Sequence, residues 1–254
     1  MRQLSIGLLL GLCAWAAVSQ ADLTLVRTLD LEGDTHHVQG IDLGDERLWV
    51  SSVDKESRQG YLQEFSTATG KLLRSATLAE GERFHPGGMS SDGKSLWIPV
   101  AEYRRHSTSV IQKRNLRSLE LEFSFTVDDH IGCLAVTPTE LIGGNWDSRE
   151  FYVWDHQGRL LRKVANPTPN GYQDMKYFDG KLVAAGLLPG KAGAIDWLDA
   201  GSFRLLQRVP IGQTSRGVPF TNEGMALRGD QLFLLPEDAP SRLFQFRLTG
   251  VAAK

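Results

Sequence analysis

Apolar residues along this chain recur either at every second position or in short unbroken runs closed by Gly, Asp or Pro. Nowhere do they hold the i, i+3, i+4, i+7 spacing of an amphipathic helix for more than about two turns, so the pattern predicts an all-β protein. The runs fall into phase on a short motif: Gln39-Gly40-Ile41, Gly87-Gly88-Met89, Ile131-Gly132-Cys133, Gln173-Asp174-Met175 and Glu223-Gly224-Met225. Its centres recur every 42 to 50 residues or so, the period of a β-propeller blade. After each motif comes an apolar strand ("DERLWVSSV", "KSLWIPVA", "TELIGGNW", "GKLVAAGL", "DQLFLLPE"), then a third strand and a turn. A fourth strand follows in the first four units only: "KLLRSATL", "LELEFSFTV", "RLLRKVAN" and "FRLLQRVPI". The last unit stops one strand short, and an orphan segment, "LTLVRTLDL" at residues 23–31, precedes the first. The expected fold is a five-bladed β-propeller whose ring is closed by this N-terminal strand pairing beside "RLFQFRL" in the last blade. A sixth blade has no sequence left to form it.

The first residues change the picture. "MRQLSIGLLLGLCAWAAVSQA", residues 1–21, has an early Arg2, an apolar run and small residues at Ser19 and Ala21. It reads as a signal peptide, which implies a periplasmic or secreted protein with one propeller domain over residues 22–254. The apolar run falls short of the roughly 20 residues that span a bilayer. A lipoprotein site at Cys13 would follow Leu12, where a small residue is expected. The formal net charge is −2 and becomes one unit more negative once Arg2 leaves. With no block of like charge, neither nucleic acid nor, after cleavage, a membrane surface is an expected partner. Cys133 is then the sole cysteine, which rules out an intramolecular disulfide, and the protein is expected to be a monomer.

In a propeller the residues just before strand one and just after strand two of each blade gather at one mouth of the central channel, where loops on a rigid scaffold carry function. Counting back from each motif by one and three positions places His37, Gln39, His85, Gln173 and Glu223 there, with His130 one step out of phase. The returning strands add Asp54, Glu102 with Arg104 and Arg105, Asn145 with Asp147, and Glu237 with Asp238. Three readings compete. The polar corners can simply tie wet blade ends together. A divalent metal ion, zinc or calcium, could be held by His37, His85, His130 and Glu223. A metal-free pocket could bind a small polar molecule through His37, Gln39, Glu102, Arg104, Asn145, Gln173 and Glu223, with Tyr172 or Trp146 packed against it. An enzyme reading would be a hydrolase or lyase with Glu223 or Asp174 as general base. A protein-interaction scaffold using the same face is the remaining alternative.

The first unit, "VQGIDLGDERLWVSSVDKESRQGYLQEFSTATGKLL", resembles the opening blade of the plant and bacterial type of glutaminyl cyclase, a secreted five-bladed propeller. That family places a Glu-Ser-Thr run after its second strand, where this chain has Ser51, Ser52 and Val53, so the resemblance implies the fold and not the cyclisation. The phrases "HHVQG", "HPGG" and "NEGM" also resemble an uncharacterised family of secreted propellers. A looser similarity to gluconolactonase and strictosidine-synthase propellers, which have six blades, implies a metal at the mouth.

Overall fold

The computed structural model describes residues 21–250. Within them the strands gather into five small antiparallel sheets set in a ring, a five-bladed β-propeller with a single 3₁₀ turn at Trp146–Ser148. Blade 1 follows an opening strand β1 (Asp22–Asp30) and comprises β2 (His37–Leu43), β3 (Arg47–Asp54), β4 (Gln59–Ser66) and β5 (Leu72–Thr77). In blade 2 the first strand is split into β6 (Arg83–Pro86) and β7 (Ser90–Ser91), followed by β8 (Ser95–Glu102), β9 (Ser109–Asn115) and β10 (Leu121–Val127). Blade 3 runs through β11 (Ile131–Val136), β12 (Leu141–Asn145), β13 (Glu150–Trp154) and β14 (Leu160–Ala165). Blade 4 is β15 (Gly171–Phe178), β16 (Lys181–Leu187), β17 (Gly193–Asp199) and β18 (Leu205–Ile211). Blade 5 adds β19 (Glu223–Arg228), β20 (Gln231–Pro236) and β21 (Arg242–Thr249).

The fourth strand of blade 5 is β1. It pairs antiparallel with β21 from Leu23 opposite Leu248 to Asp30 opposite Arg242, so the ring is closed by this N-terminal strand beside the last blade, as expected. The signal peptide reading falls on residues outside those described, save Ala21. Among the described residues no helix is long and apolar enough to cross a membrane.

Burial follows strand position. Second strands lie between two neighbouring blades and are apolar on both faces: β3 is buried at six consecutive positions and β8 at seven. Fourth strands form the outer wall and alternate, with Leu72, Leu73, Leu160 and Leu161 partly in water. Each junction between blades is one apolar cluster. Trp49 and Leu62 meet Leu96 and Ile98 between blades 1 and 2, and Trp97 and Ile111 meet Leu134 and Trp154 between 2 and 3. Phe151 meets Tyr172 and Leu182 between blades 3 and 4, Trp197 meets Leu234 and Phe244 between 4 and 5, and Phe233 meets Val38 and Val50 between 5 and 1.

The motif that set the phase lies on the axis. Gly88 donates its N–H to Gly132 O and accepts Leu134 N–H, both at 2.9 Å, so two first strands bond directly to each other. A Cβ on Gly88 would sit 2.5 Å from Gln173 O, which explains a residue without a side chain there. Asp174, which replaces the glycine in blade 4, reaches across the axis: its Oδ2 accepts Ile41 N–H and Met225 N–H, each at 3.0 Å.

Candidate active-site recess at the channel mouth

Just above that axis the first strands lose register. The pairing slips between Val38 and Gly40 in β2, between Ile131 and Cys133 in β11, and between Tyr172 and Asp174 in β15. The extra residues are Gln39, Gly132 and Gln173, and a bulge of this kind re-aims the side chains on either side of it. All three line a recess of about 240 Å³ at the mouth. Every blade contributes to it: His37 and Gln39 from the first, His85 and Tyr103 from the second, His130, Asn145, Trp146 and Asp147 from the third, Gln173 from the fourth and Glu223 from the fifth. A wider hollow of about 640 Å³ lies elsewhere, on the outer seam between β18 and β1, and is lined largely by Leu23, Val209, Phe220, Phe246 and their neighbours.

The imidazoles are held, each by a different partner. His85 Nε2–H donates to Gln39 Oε1 at 3.0 Å, which leaves its buried Nδ1 without a hydrogen bond. Burial first, then the neighbouring His130 and His37, push its pKa down to about 3, so the ring is neutral. His130 Nδ1 donates to Arg104 O at 2.9 Å, and its ring stands edge-on to Trp146 with centroids 4.5 Å apart. Burial also lowers its pKa, against the pull of that carbonyl. His37 Nδ1 lies 2.5 Å from Glu237 Oε1 yet makes no hydrogen bond. His36, with φ 48°, turns away and stacks on Tyr61 at 4.7 Å.

Glu223 stands apart. It is 6 % exposed, among the described residues nothing donates a hydrogen bond to its carboxyl, and its φ of 114° belongs to a region ordinarily left to glycine. Burial, then Glu237 and Asp174, raise its pKa well above the usual carboxylate range. Gln173 also carries a carboxamide with no hydrogen bond among the described residues, on the adjoining wall.

Several residues expected at the mouth are placed otherwise. Tyr172 does line the recess, but its ring packs in the core against Phe151 and its hydroxyl bonds Asp196 at 2.7 Å and Thr168 at 2.8 Å, so the ring is not offered as a stacking face. Glu102 is outside the recess. It accepts Thr108 N–H at 3.1 Å and Arg104 Nε–H at 2.8 Å, the Arg104 hydrogen bond being the main reason its pKa is lowered. Arg104 points into solvent at 67 % exposure, and only its carbonyl serves the recess, through His130. Asp174 is fully buried with both oxygens engaged and lies beneath the recess, not in its wall, so the geometry removes it as a general base. Asn145 does line the recess but donates to Asp129 at 3.1 Å and accepts Glu150 N–H at 2.9 Å. The four proposed metal ligands are not gathered at one point either: among the described residues the metal-sized cluster is His37, Glu223 and Glu237, without His85 or His130.

Tyr103 escaped the sequence reading. Its ring lies 4.2 Å from His85, beneath the Lys55 ammonium at 5.1 Å. The signal was present, since Tyr103 follows β8 as Trp146 follows β12. Ser51 and Ser52, standing where the cyclase family has its acidic run, bond Gly87 O at 2.7 Å and Gln63 Oε1 at 3.1 Å, and Val53 is core.

The fold is similar to that of Myxococcus xanthus glutaminyl cyclase, at a TM-score of 0.70 and 14% identity over 91% of this chain and 97% of that one. It is also similar to a luciferin-regenerating enzyme, at 0.55 and 12% over 88% and 81%, and to a Bacteroides caccae protein of unknown function, at 0.50 and 13% over 78% and 69%. Identities this low speak for the fold alone. No curated protein matches the sequence. Residues 29–172, more than half of the chain, match a family of unknown function, DUF6454, and the protein belongs to that family.

Proposed function

We propose that this is an exported propeller that binds a small polar molecule in the recess where its five blades meet. One observation carries the reading: the buried Glu223 and the half-buried Gln173, from the adjoining blades 5 and 4, both line the recess with polar groups that no protein donor or acceptor meets. Buried polar groups are ordinarily bonded, and a pair left open in a preformed hollow is what a ligand completes. The recess has room for about eight waters, which suits a ligand of amino-acid size. Tyr103 and Trp146 supply flat walls, and Gln173 supplies a donor and an acceptor for an amide or carboxylic acid group. Export rests on the leader-like residues 1–21.

A second reading makes the recess catalytic, as a hydrolase or lyase. The raised pKa of Glu223, set first by its burial, favours it, because a carboxyl whose pKa lies above the usual range holds a proton more readily for a leaving group. Cyclisation of glutaminyl peptides is not part of the proposal, since Ser51 and Ser52 are spent on holding the blade together.

The test is a ligand-observed NMR screen of small amides, amino acids and hydroxy acids. Hits should lose at least tenfold in affinity in Gln173→Ala and in Tyr103→Ala. A screen without hits, or hits indifferent to both substitutions, sinks the reading.

A further inference from the structure

His37 opens β2 in blade 1, whereas Glu223 opens β19 and Glu237 follows β20 in blade 5. Although they come from opposite ends of the chain, His37 and one carboxylate oxygen from each glutamate all lie within 4.8 Å of one another. No Lys or Arg forms an ion pair with either glutamate among the described residues. Glu223 is more than nine-tenths buried, lines the recess and has no hydrogen-bond donor against its carboxyl. His37 Nδ1, equally, is buried without a hydrogen bond. Two carboxyl groups and an imidazole nitrogen thus turn on one point with no Lys or Arg against them, and the His37–Glu237 contact is the one pairing within the group.

We propose that His37, Glu223 and Glu237 hold one first-row divalent transition ion, of the zinc or manganese kind, at the blade 1–blade 5 side of the recess. The donor set selects the class. Calcium and magnesium favour all-oxygen shells, whereas an imidazole beside carboxylates suits zinc and its neighbours. Ligand bonds near 2.0–2.2 Å require donor atoms roughly 3–3.5 Å apart. The present cluster closes to that spacing by movement of Glu237, whose side chain already touches His37 and is 43 % exposed. Glu223 and His37 then stay where β19 and β2 hold them. Three protein ligands leave at least one position open, and it faces the recess, where a ligand oxygen or a water would complete the shell. This deepens the reading of the recess as a ligand site and rests on it.

The protein, stripped by chelator and dialysed, is titrated with zinc chloride and separately with manganese chloride in a calorimeter. One equivalent of zinc per chain is expected, with affinity reduced at least tenfold in Glu223→Gln and in Glu237→Gln and unchanged in Asp230→Asn, an exposed carboxylate at the far turn of the same hairpin. Glu237→Gln changes a half-exposed side chain and keeps the test valid if Glu223→Gln folds poorly. No stoichiometric binding, or zinc binding that survives both glutamate substitutions, overturns the site. The NMR screen separates the two readings: hits that depend on Gln173 with no zinc bound sink the ion alone, and a screen without hits while zinc binds sinks the ligand reading alone.

Discussion

Lys176 Nζ lies 2.6 Å from Asp174 Oδ1 on the propeller axis, with both side chains closed off from water. The pair joins four blades. Asp174 belongs to blade 4 and takes N–H groups from Ile41 in blade 1 and Met225 in blade 5, while Lys176 donates to Met89 O in blade 2 at 2.6 Å. Removing one member strands the other as a buried charge, which costs about 3–5 kcal/mol. Asp174→Ala and Lys176→Met should each lower stability by that order in urea unfolding. Midpoints that stay near the parent's would show that the pair is not what holds the first strands together.

Axial packing makes a contrast between two glycines. A Cβ at Gly88 would meet Gln173 O at 2.5 Å and Asp174 Cα at 2.8 Å, whereas at Gly132 the nearest atom is 3.8 Å away. Gly88→Ala should destabilise by about 1–3 kcal/mol through backbone displacement. Gly132→Ala should stay close to the parent, and calorimetric melting of both variants compares them directly.

Cys133 is fully buried beside Ser148, and burial, then the Asp174 charge, push its thiol up to about 12. A thiol held in that state is not a nucleophile near neutral pH. Protein lacking residues 1–21, and so without Cys13, should therefore be inert to a thiol-exchange reagent over hours, and one equivalent should react once urea unfolds it.

His85 couples the recess to pH. Its folded pKa of about 3 lies below the ordinary imidazole value of 6.5, so the unfolded chain takes up a proton on this residue that the fold refuses. The neutral ring's contribution to stability is thus complete above about pH 6.5 and is lost as pH falls toward 3, by no more than about 1.4 kcal/mol per pH unit. Urea titrations at pH 7.5 and 4.5 should show His85→Gln losing less on acidification than the parent. Equal losses in the two proteins would mean that His85 is not kept neutral by the fold.

The repeat was legible because each blade carries the same order of strands, and the orphan at residues 23–31 had only one gap to fill. The gathering of His37, Gln39, His85, His130, Gln173 and Glu223 around one hollow also followed from that phase. What the phase could not convey was the bulges. One extra residue at Gln173 moves Asp174 from the mouth to the axis, and counting by twos cannot see an inserted position. Tyr172 lines the recess as the phase implied, but the phase did not convey that Asp196 and Thr168 claim its hydroxyl and hold its ring in the core. The left-handed turn of Glu223 has no sequence mark at all.

The pairing of β1 with β21 has a consequence for how the molecule is made. β1 is made before any of the five blades' other strands yet finds its partner only when β21 appears, because Leu23 faces Leu248. Until then blades 1 to 4 stand as an open arc, with the flank of blade 4 that faces β19 bare and β1 an unclaimed strand. Contacts this distant in sequence form slowly. Closure thus waits on β21, and a chain cut short before it cannot complete the circle however well its earlier blades have formed.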